Sequence, residues 1–229
     1  MTKRLAGGIC AVMLALSAGS ASAITVDFTG QNAAGPSFIF DTFDGGAPTG
    51  ITVTATATEG GISGTPVNVG RTNGGGLGVN GLRPGQTGGQ IDDNPGGNPA
   101  QFSEFLTLTF STPVVIETIT FANAAGSNDS FTLFVDGIDA DILNTPGFEE
   151  DRIQSLTPEQ SGSVREVDFS TLALVGTIFQ ITDGTGQIGG DDFSVAALSF
   201  TEAIPLPAPI LLLLAGLASL GLVARRRPA

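Results

Sequence analysis

The chain contains no histidine, tyrosine or tryptophan. Its one cysteine, Cys10, and its one lysine, Lys3, both lie near the N-terminus. From Ile24 onward there is thus no imidazole, no thiol and no side-chain amine. These absences exclude Ser-His-Asp and Cys-His catalysis, lysine Schiff bases, zinc sites built on His or Cys, and disulfides. Carboxylates, hydroxyls, amides and arginines are left to carry any chemistry. Bases are scarce as well. Between Ile24 and Ala203 there are only Arg71, Arg83, Arg152 and Arg165, against all 22 acids of the chain, which gives that stretch a formal charge of −18. Such a surface repels nucleic acid and anionic lipid and attracts cations. Acidity alone would also fit disorder, but strand-like runs with Phe, Ile and Val recur throughout.

The two ends differ from this middle. Residues 1–23 begin with Lys3 and Arg4, continue through an apolar stretch from about Leu5 to Leu16, and end in Ala21-Ser22-Ala23. A basic start, a short apolar run and an A-x-A end describe a Sec-type signal peptide cut after Ala23. The implied partners are the Sec translocon and signal peptidase. At the other end, Leu206 to Ala224 contains no charge. As a helix rising about 1.5 Å per residue it would be roughly 28 Å long, the thickness of a bilayer core. Arg225, Arg226 and Arg227 follow directly and orient the span with its basic end in the cytoplasm. The apolar run alone would be an ordinary anchor. Pro205, Pro207 and Pro209 just before and within its start call for an extended, non-helical segment.

Period-two alternation dominates residues 24–203. "ITVTATATEG" sets Ile51, Val53, Ala55 and Ala57 opposite four threonines. "EFLTLTF" sets Leu106, Leu108 and Phe110 opposite Thr107 and Thr109, and "SFTLFVDG" turns Phe131, Leu133 and Val135 inward. "DFSVAALSF" closes the region with Ala196, Leu198 and Phe200 on one face. Further strands are expected at 24–29, 37–43, 114–122, 163–169 and 172–182. About nine short strands separated by Gly, Asn, Asp and Pro predict an all-β fold, one antiparallel β-sandwich. A helical turn is expected within 145–156. Residues 70–100 hold eleven glycines, too many for regular structure. They predict one long surface loop, or a pair of loops around a short strand at Leu77–Val79.

An acidic region with only oxygen donors suits Ca²⁺, which takes six to eight oxygen ligands. Candidate groups are Asp92, Asp93 and Asn94; Glu104; Asn128 and Asp129; Asp136, Asp139 and Asp141; and Asp191 and Asp192. Glu104 shares its parity with Leu106 and Leu108, and Asp192 shares its parity with Ala196 and Leu198. The expectation is that Asp92, Glu104 and Asp192 converge on one Ca²⁺, with solvated turn residues as the alternative. "GTGQIG" (184–189) matches a dinucleotide-binding glycine pattern. A strand, and not a helix, follows it, so it reads as a turn. No Trp or Tyr is present to stack on sugar rings, and no carboxylate pair stands out for glycoside hydrolysis. The reading is therefore non-enzymatic, with a carboxylate-based hydrolase as the weakest alternative.

Two resemblances extend this reading. Ile204-Pro205-Leu206-Pro207-Ala208, an apolar run and a terminal arginine triplet together resemble the VPLPA variant of the PEP-CTERM sorting signal, with Ile204 in place of Val. The resemblance covers about 25 residues. It implies a bacterial protein held briefly in the inner membrane, with its body outside, until an exosortase-type protease cuts near the proline motif. The chain would then divide into a signal peptide (1–23), an ectodomain (24–203) and a sorting tail (204–229). "GLGV" (76–79), "QIDDN" (90–94), "EFLTLTFSTPVVIETITF" (104–121), "FTLFVDG" (131–137) and "GGDDFSVAALSF" (189–200) are similar to jelly-roll, lectin-like domains that precede such tails. That likeness implies a cell-surface or extracellular-matrix role. Ca²⁺-assisted binding of polysaccharide is the alternative.

Overall fold

The computed structural model describes residues 22–30, 33–60, 63–72, 75–80, 91–92, 104–124, 131–140, 164–183 and 192–203. Among them every regular element is a strand and every pairing is antiparallel. In chain order they are β1 (Ile24–Asp27), β2 (Ala33–Gly35), β3 (Phe38–Asp44), β4 (Ala47–Glu59), β5 (Thr65–Thr72), β6 (Gly76–Asn80) and β7 (Ile91–Asp92). Then come β8 (Glu104–Ala122), β9 (Phe131–Val135), β10 (Ile138–Asp139), β11 (Arg165–Asp168), β12 (Leu174–Asp183) and β13 (Asp192–Glu202). The described residues are all-β, as their alternation predicts. The helical turn expected within 145–156 lies outside the described residues, as do residues 1–21 and the tail from Ile204.

The 19-residue β8 organises the sheet. In its first half Leu106 faces Ala57 of β4 on one side and Ile181 of β12 on the other. In its second half Ile119 faces Leu198 of β13 and Val167 of β11. The halves meet at an irregularity. Thr109 pairs with Ile178 and Val114 with Gly176, so Phe110 to Pro113 stand against Thr177 alone. Pro113 is exposed there, where its missing N–H costs no ladder bond. Sequence alternation divides this stretch into two strands, 104–110 and 114–122. The backbone carries both as one strand that changes partners at the proline. The exchange also closes the sheet: β4 pairs with β5, β5 with β6, β6 with β13, β13 with β8, and β8 with β4. The closure is barrel-like, and β1, β2, β3, β9, β10, β11 and β12 extend from it.

Phenylalanine fills the interior. Phe28, Phe110, Phe121, Phe169, Phe179, Phe193 and Phe200 are fully buried, each worth roughly 2–3 kcal/mol of apolar transfer. Phe110 meets Phe179 and Phe200 edge-on, at ring centroids 5.6 and 5.0 Å apart. Phe121 packs on Phe131 at 4.8 Å and on Phe193 at 5.4 Å. Each half of β8 thus supplies the hub of one aromatic group, and β13 supplies a ring to both.

Two bulges change the alternation. On β13, Val195 pairs with Phe121 and Ala197 with Thr120, which leaves Ala196 as an extra residue. The core-facing set is therefore Phe193 and Val195 before the bulge and Leu198 and Phe200 after it. The expected set of Ala196, Leu198 and Phe200 is corrected to that extent, although Ala196 is itself buried. On β8, Ile116 pairs with Phe200 and Thr118 with Ser199, so Glu117 is the extra residue there. Its buried positions change from Val114 and Ile116 to Ile119 and Phe121. An inserted residue exchanges the two faces of a strand, which period-two counting cannot follow.

In the glycine-rich stretch the single long loop is corrected, and the short strand expected at Leu77–Val79 is present as β6. β5 runs into it as far as Thr72, and β6 and β7 lie within it. Leu77, Val79 and Ile91 are buried, so these parts are core strands and not surface loop. Gly76 explains one of the glycines. Its φ is +94°, and a Cβ there would stand 2.2 Å from the Val195 carbonyl oxygen. Only glycine lets β6 approach β13 this closely. Gly76→Ala is expected to cost about 3 kcal/mol or more in chemical denaturation. Gly46→Ala, at φ +88° with no atom within 4 Å, should cost about 1–2 kcal/mol. Equal losses would remove the close approach as the cause.

Candidate functional site

Glu104 opens β8 and is only 1% exposed. It lies on the Leu106 and Leu108 side, and no bulge separates it from them. A carboxylate buried this deeply is costly unless a cation or hydrogen-bond donor meets it. Its register partner on β4 is another acid, Glu59. Elsewhere Asp92 of β7 and Asp192 of β13 are direct register partners. Like charges at opposed positions of a ladder destabilise it unless they are neutralised.

Register and ring contacts relate these positions. Phe105, next to Glu104, pairs with Thr182, and the following residue of β12, Asp183, pairs with Phe131. Phe131 packs on Phe121, and Phe121 packs on Phe193. Phe193 is the neighbour of Asp192 and the register partner of Ile91. β7 also lies against both β8 and β12. Register thus brings Asp92 and Asp192 together on adjacent strands, while Glu104 is related to them only through the aromatic contacts of Phe131, Phe121 and Phe193. Asp192 does not share a face with Leu198 as its parity suggests, because the Ala196 bulge lies between them. Among the described residues no group of three or more His, Cys, Asp or Glu forms a metal cluster. Of Asp92 and Asp192 only the backbone is described. Asp93, Asn94, Asn128, Asp129, Asp141 and Asp191 lie outside the described residues, as does the 184–189 glycine turn.

Other acids are engaged in local structure. Asp136 and Gly137 have φ of +50° and +80° and form the two-residue turn between Val135 and Ile138, a type I′ arrangement suited to Asp-Gly. The Asp136 Oδ1 accepts the N–H groups of Thr177 at 3.0 Å and Ile178 at 2.8 Å. It thus satisfies donors that the β12 irregularity withdraws from the ladder. Asp27 accepts the Thr29 N–H at 2.8 Å, and Asp168 accepts the Ser170 N–H at 2.8 Å. The Ser170 side chain and backbone hold the Asp168 carboxyl below its ordinary 3.8. Asp139 is exposed on the two-residue β10.

Ser194 was not visible as important in the sequence. It is fully buried between Phe193 and Val195. Its hydroxyl donates to the Gly75 carbonyl and accepts from Asn123 Nδ2 at 3.3 Å. It fastens the glycine-rich segment to the end of β8, beside the acids. A lone serine in an apolar run was the only available signal.

The sorting residues Ile204, Pro205, Leu206, Pro207 and Ala208, the stop residues Arg225, Arg226 and Arg227, and Ala21 lie outside the described residues. Ala23 is exposed one residue before β1. Among the described residues no helix is long and apolar enough to cross a membrane.

The engagement of Asp136 can be tested directly. Asp136→Ala should lower stability by about 1 kcal/mol through loss of two exposed charge-assisted hydrogen bonds and the poorer fit of Ala at positive φ, whereas Asp136→Asn should keep most of it. Urea denaturation of both variants measures the difference. No family model, no curated protein and no solved structure matches the chain.

Proposed function

We propose that this is an exported, surface-sorted bacterial protein whose jelly-roll-like sandwich plays a structural or adhesive part, without enzymatic activity, at the cell envelope or in the extracellular matrix. The observation that carries this reading is the order of the tail: the Ile204–Ala208 proline motif, the uncharged run to Ala224, and Arg225–Arg227. The body is compatible with such tethering. Ile24 pairs with Phe200, so the first and last strands end side by side, and the Ala203 N–H donates to the Pro113 carbonyl at 3.1 Å. From Glu202 back to Asp192 the strand spans about 35 Å. A membrane-held tail would then leave the acidic end pointing outward, toward solvent cations and matrix.

The tail is tested by fractionating cells that express the natural chain or the Pro205→Ala, Pro207→Ala variant. The natural chain should leave the inner membrane for the outer surface or medium. The variant should remain in the inner membrane. Identical distributions would remove the motif from the mechanism.

The acidic end favours bound Ca²⁺, with Asp92, Glu104 and Asp192 as ligands. At a Ca²⁺ concentration about a hundredfold above Kd, binding adds about 2.7 kcal/mol, or several degrees in Tm. Melting in millimolar Ca²⁺ against chelator should show that rise in the natural protein and not in Glu104→Gln. An unchanged Tm would exclude the ion. The same acidic end supports the second reading, Ca²⁺-assisted binding of polysaccharide. A glycan array that gives signal only with Ca²⁺ would favour that reading over a purely structural one.

A further inference from the structure

We propose that removal of the signal peptide creates an ionic latch between the two ends of the β-domain, in which the new α-ammonium of Ile24 docks against the carboxylates of Glu202 and Asp44. The latch rests on the proposed cleavage after Ala23. That cleavage hydrolyses the Ala23–Ile24 peptide bond. Water supplies the oxygen for the departing Ala23 carboxylate, and Ile24 keeps the nitrogen, which is protonated to ammonium.

The place where this charge appears is already built. A cavity of about 360 Å³ has an apolar wall of Ile24, Pro48 and Ile51 and carries Ser22, Asp44 and Glu202 on the same lining. In the uncut chain Ser22 occupies part of this space, with its Oγ 3.3 Å from Asp44 Oδ1. Cleavage removes Ser22 with the peptide and leaves Asp44 without that hydroxyl. The ladder fixes the position of the nitrogen. The Phe28 N–H donates to the Ala196 carbonyl at 2.7 Å, and the Ile24–Phe200 pair lies four positions along the same ladder. Hydrogen-bonded pairs alternate with period two, so the nitrogen of Ile24 faces the Phe200 carbonyl. One ammonium proton keeps that bond, and two remain for the carboxylates. The Ile24 side chain belongs to the core, which anchors the strand end beside the exposed carboxylates of Asp44 and Glu202.

The electrostatic balance has one sign. β1 packs on β13 and β3. β13 contributes Glu202 to the cavity, β3 contributes Asp44, and no base is among the lining residues. Asp41 of β3 is exposed and does not line the cavity. Asp27, on β1 itself, lies at the far end of the strand and binds Thr29. Two carboxylates and no cation favour the protonated amine and raise its pKa above the ordinary α-amino range of about 7.7–8.0. A raised folded-state pKa stabilises the fold fully below the unfolded value. The stabilisation is lost as pH rises through the folded value.

The chain's lysine content makes the test specific. Lys3 is the only lysine and leaves with the signal peptide, so the mature protein has a single primary amine. Trace acetylation of the purified exported protein across pH 6–10, read by intact mass, reports that amine alone. The raised pKa makes acetylation at pH 8 about twofold slower than in the Glu202→Gln, Asp44→Asn double variant, and about threefold slower near pH 6.5. Asp41→Asn should behave as the natural protein does. Complete acetylation should lower Tm by about 2–4 °C at pH 7, with the gap closing above the ammonium pKa. Superimposable acetylation profiles for the natural protein and the double variant would overturn the latch alone. A first residue other than Ile24 would overturn the cleavage reading and the latch together.

Discussion

The partner exchange of β8 at Ser111–Pro113 holds the rest of the structure together. On one side β8 serves β4 with its first half and β13 with its second; on the other, β12 runs past the irregularity as far as Ile116 and β11 takes over from Thr118. Phe110 and Phe121, one on each half, are the centres of the two aromatic groups. Because β13 pairs with the second half and β4 with the first, the sheet can close only if β8 turns between them. The bulges at Ala196 and Glu117 are local adjustments to that turn, since they return large side chains to the interior after the register shifts. The Asp92–Asp192 register pair depends on the same geometry, because β13, which carries Asp192, pairs with the second half of β8. The path from Glu104 through Phe131, Phe121 and Phe193 to Asp192 crosses from one half of β8 to the other.

Strands were legible in the sequence where alternation ran uninterrupted. β4, the first half of β8, β9 and β12 were expected within a few residues of their observed limits, because each sets apolar side chains opposite threonine or other polar residues. β5 escaped because "TPVNVGRT" offers only Val67 and Val69 among proline, glycine and polar residues. β6 was legible as the short strand Leu77–Val79, but the role of Gly76 in allowing contact with the β13 backbone carried no local signal. The burial of Glu104 was legible by parity, as nothing shifts the count between it and Phe110. The orientation of Asp192 was not, because Ala196 intervenes. That Asp92 and Asp192 are register partners is a long-range fact, and no local pattern carries it.

The residues the chain lacks shape its chemistry as much as those it has. Without His, and with Cys and Lys confined to the N-terminus, every available ligand in the body is an oxygen and almost every charge is negative. A body of this kind has two ways to offset its repulsion: cations from outside, or positive charge made within. The proposed Ca²⁺ site at one end is the first. The proposed α-ammonium of Ile24 at the other end is the second, and in a chain whose body lacks lysine it is a rare resource. Both readings depend on export, where Ca²⁺ is plentiful and where the signal peptide is removed.

The central proposal is that both ends are addresses to be read and removed. Intact-mass measurement of the native protein from its own cells tests this most directly. A chain beginning at Ile24 and ending within or near Ile204–Ala208 is the expected result. A mass that still includes Arg225–Arg227 in all of the surface or extracellular protein would contradict it.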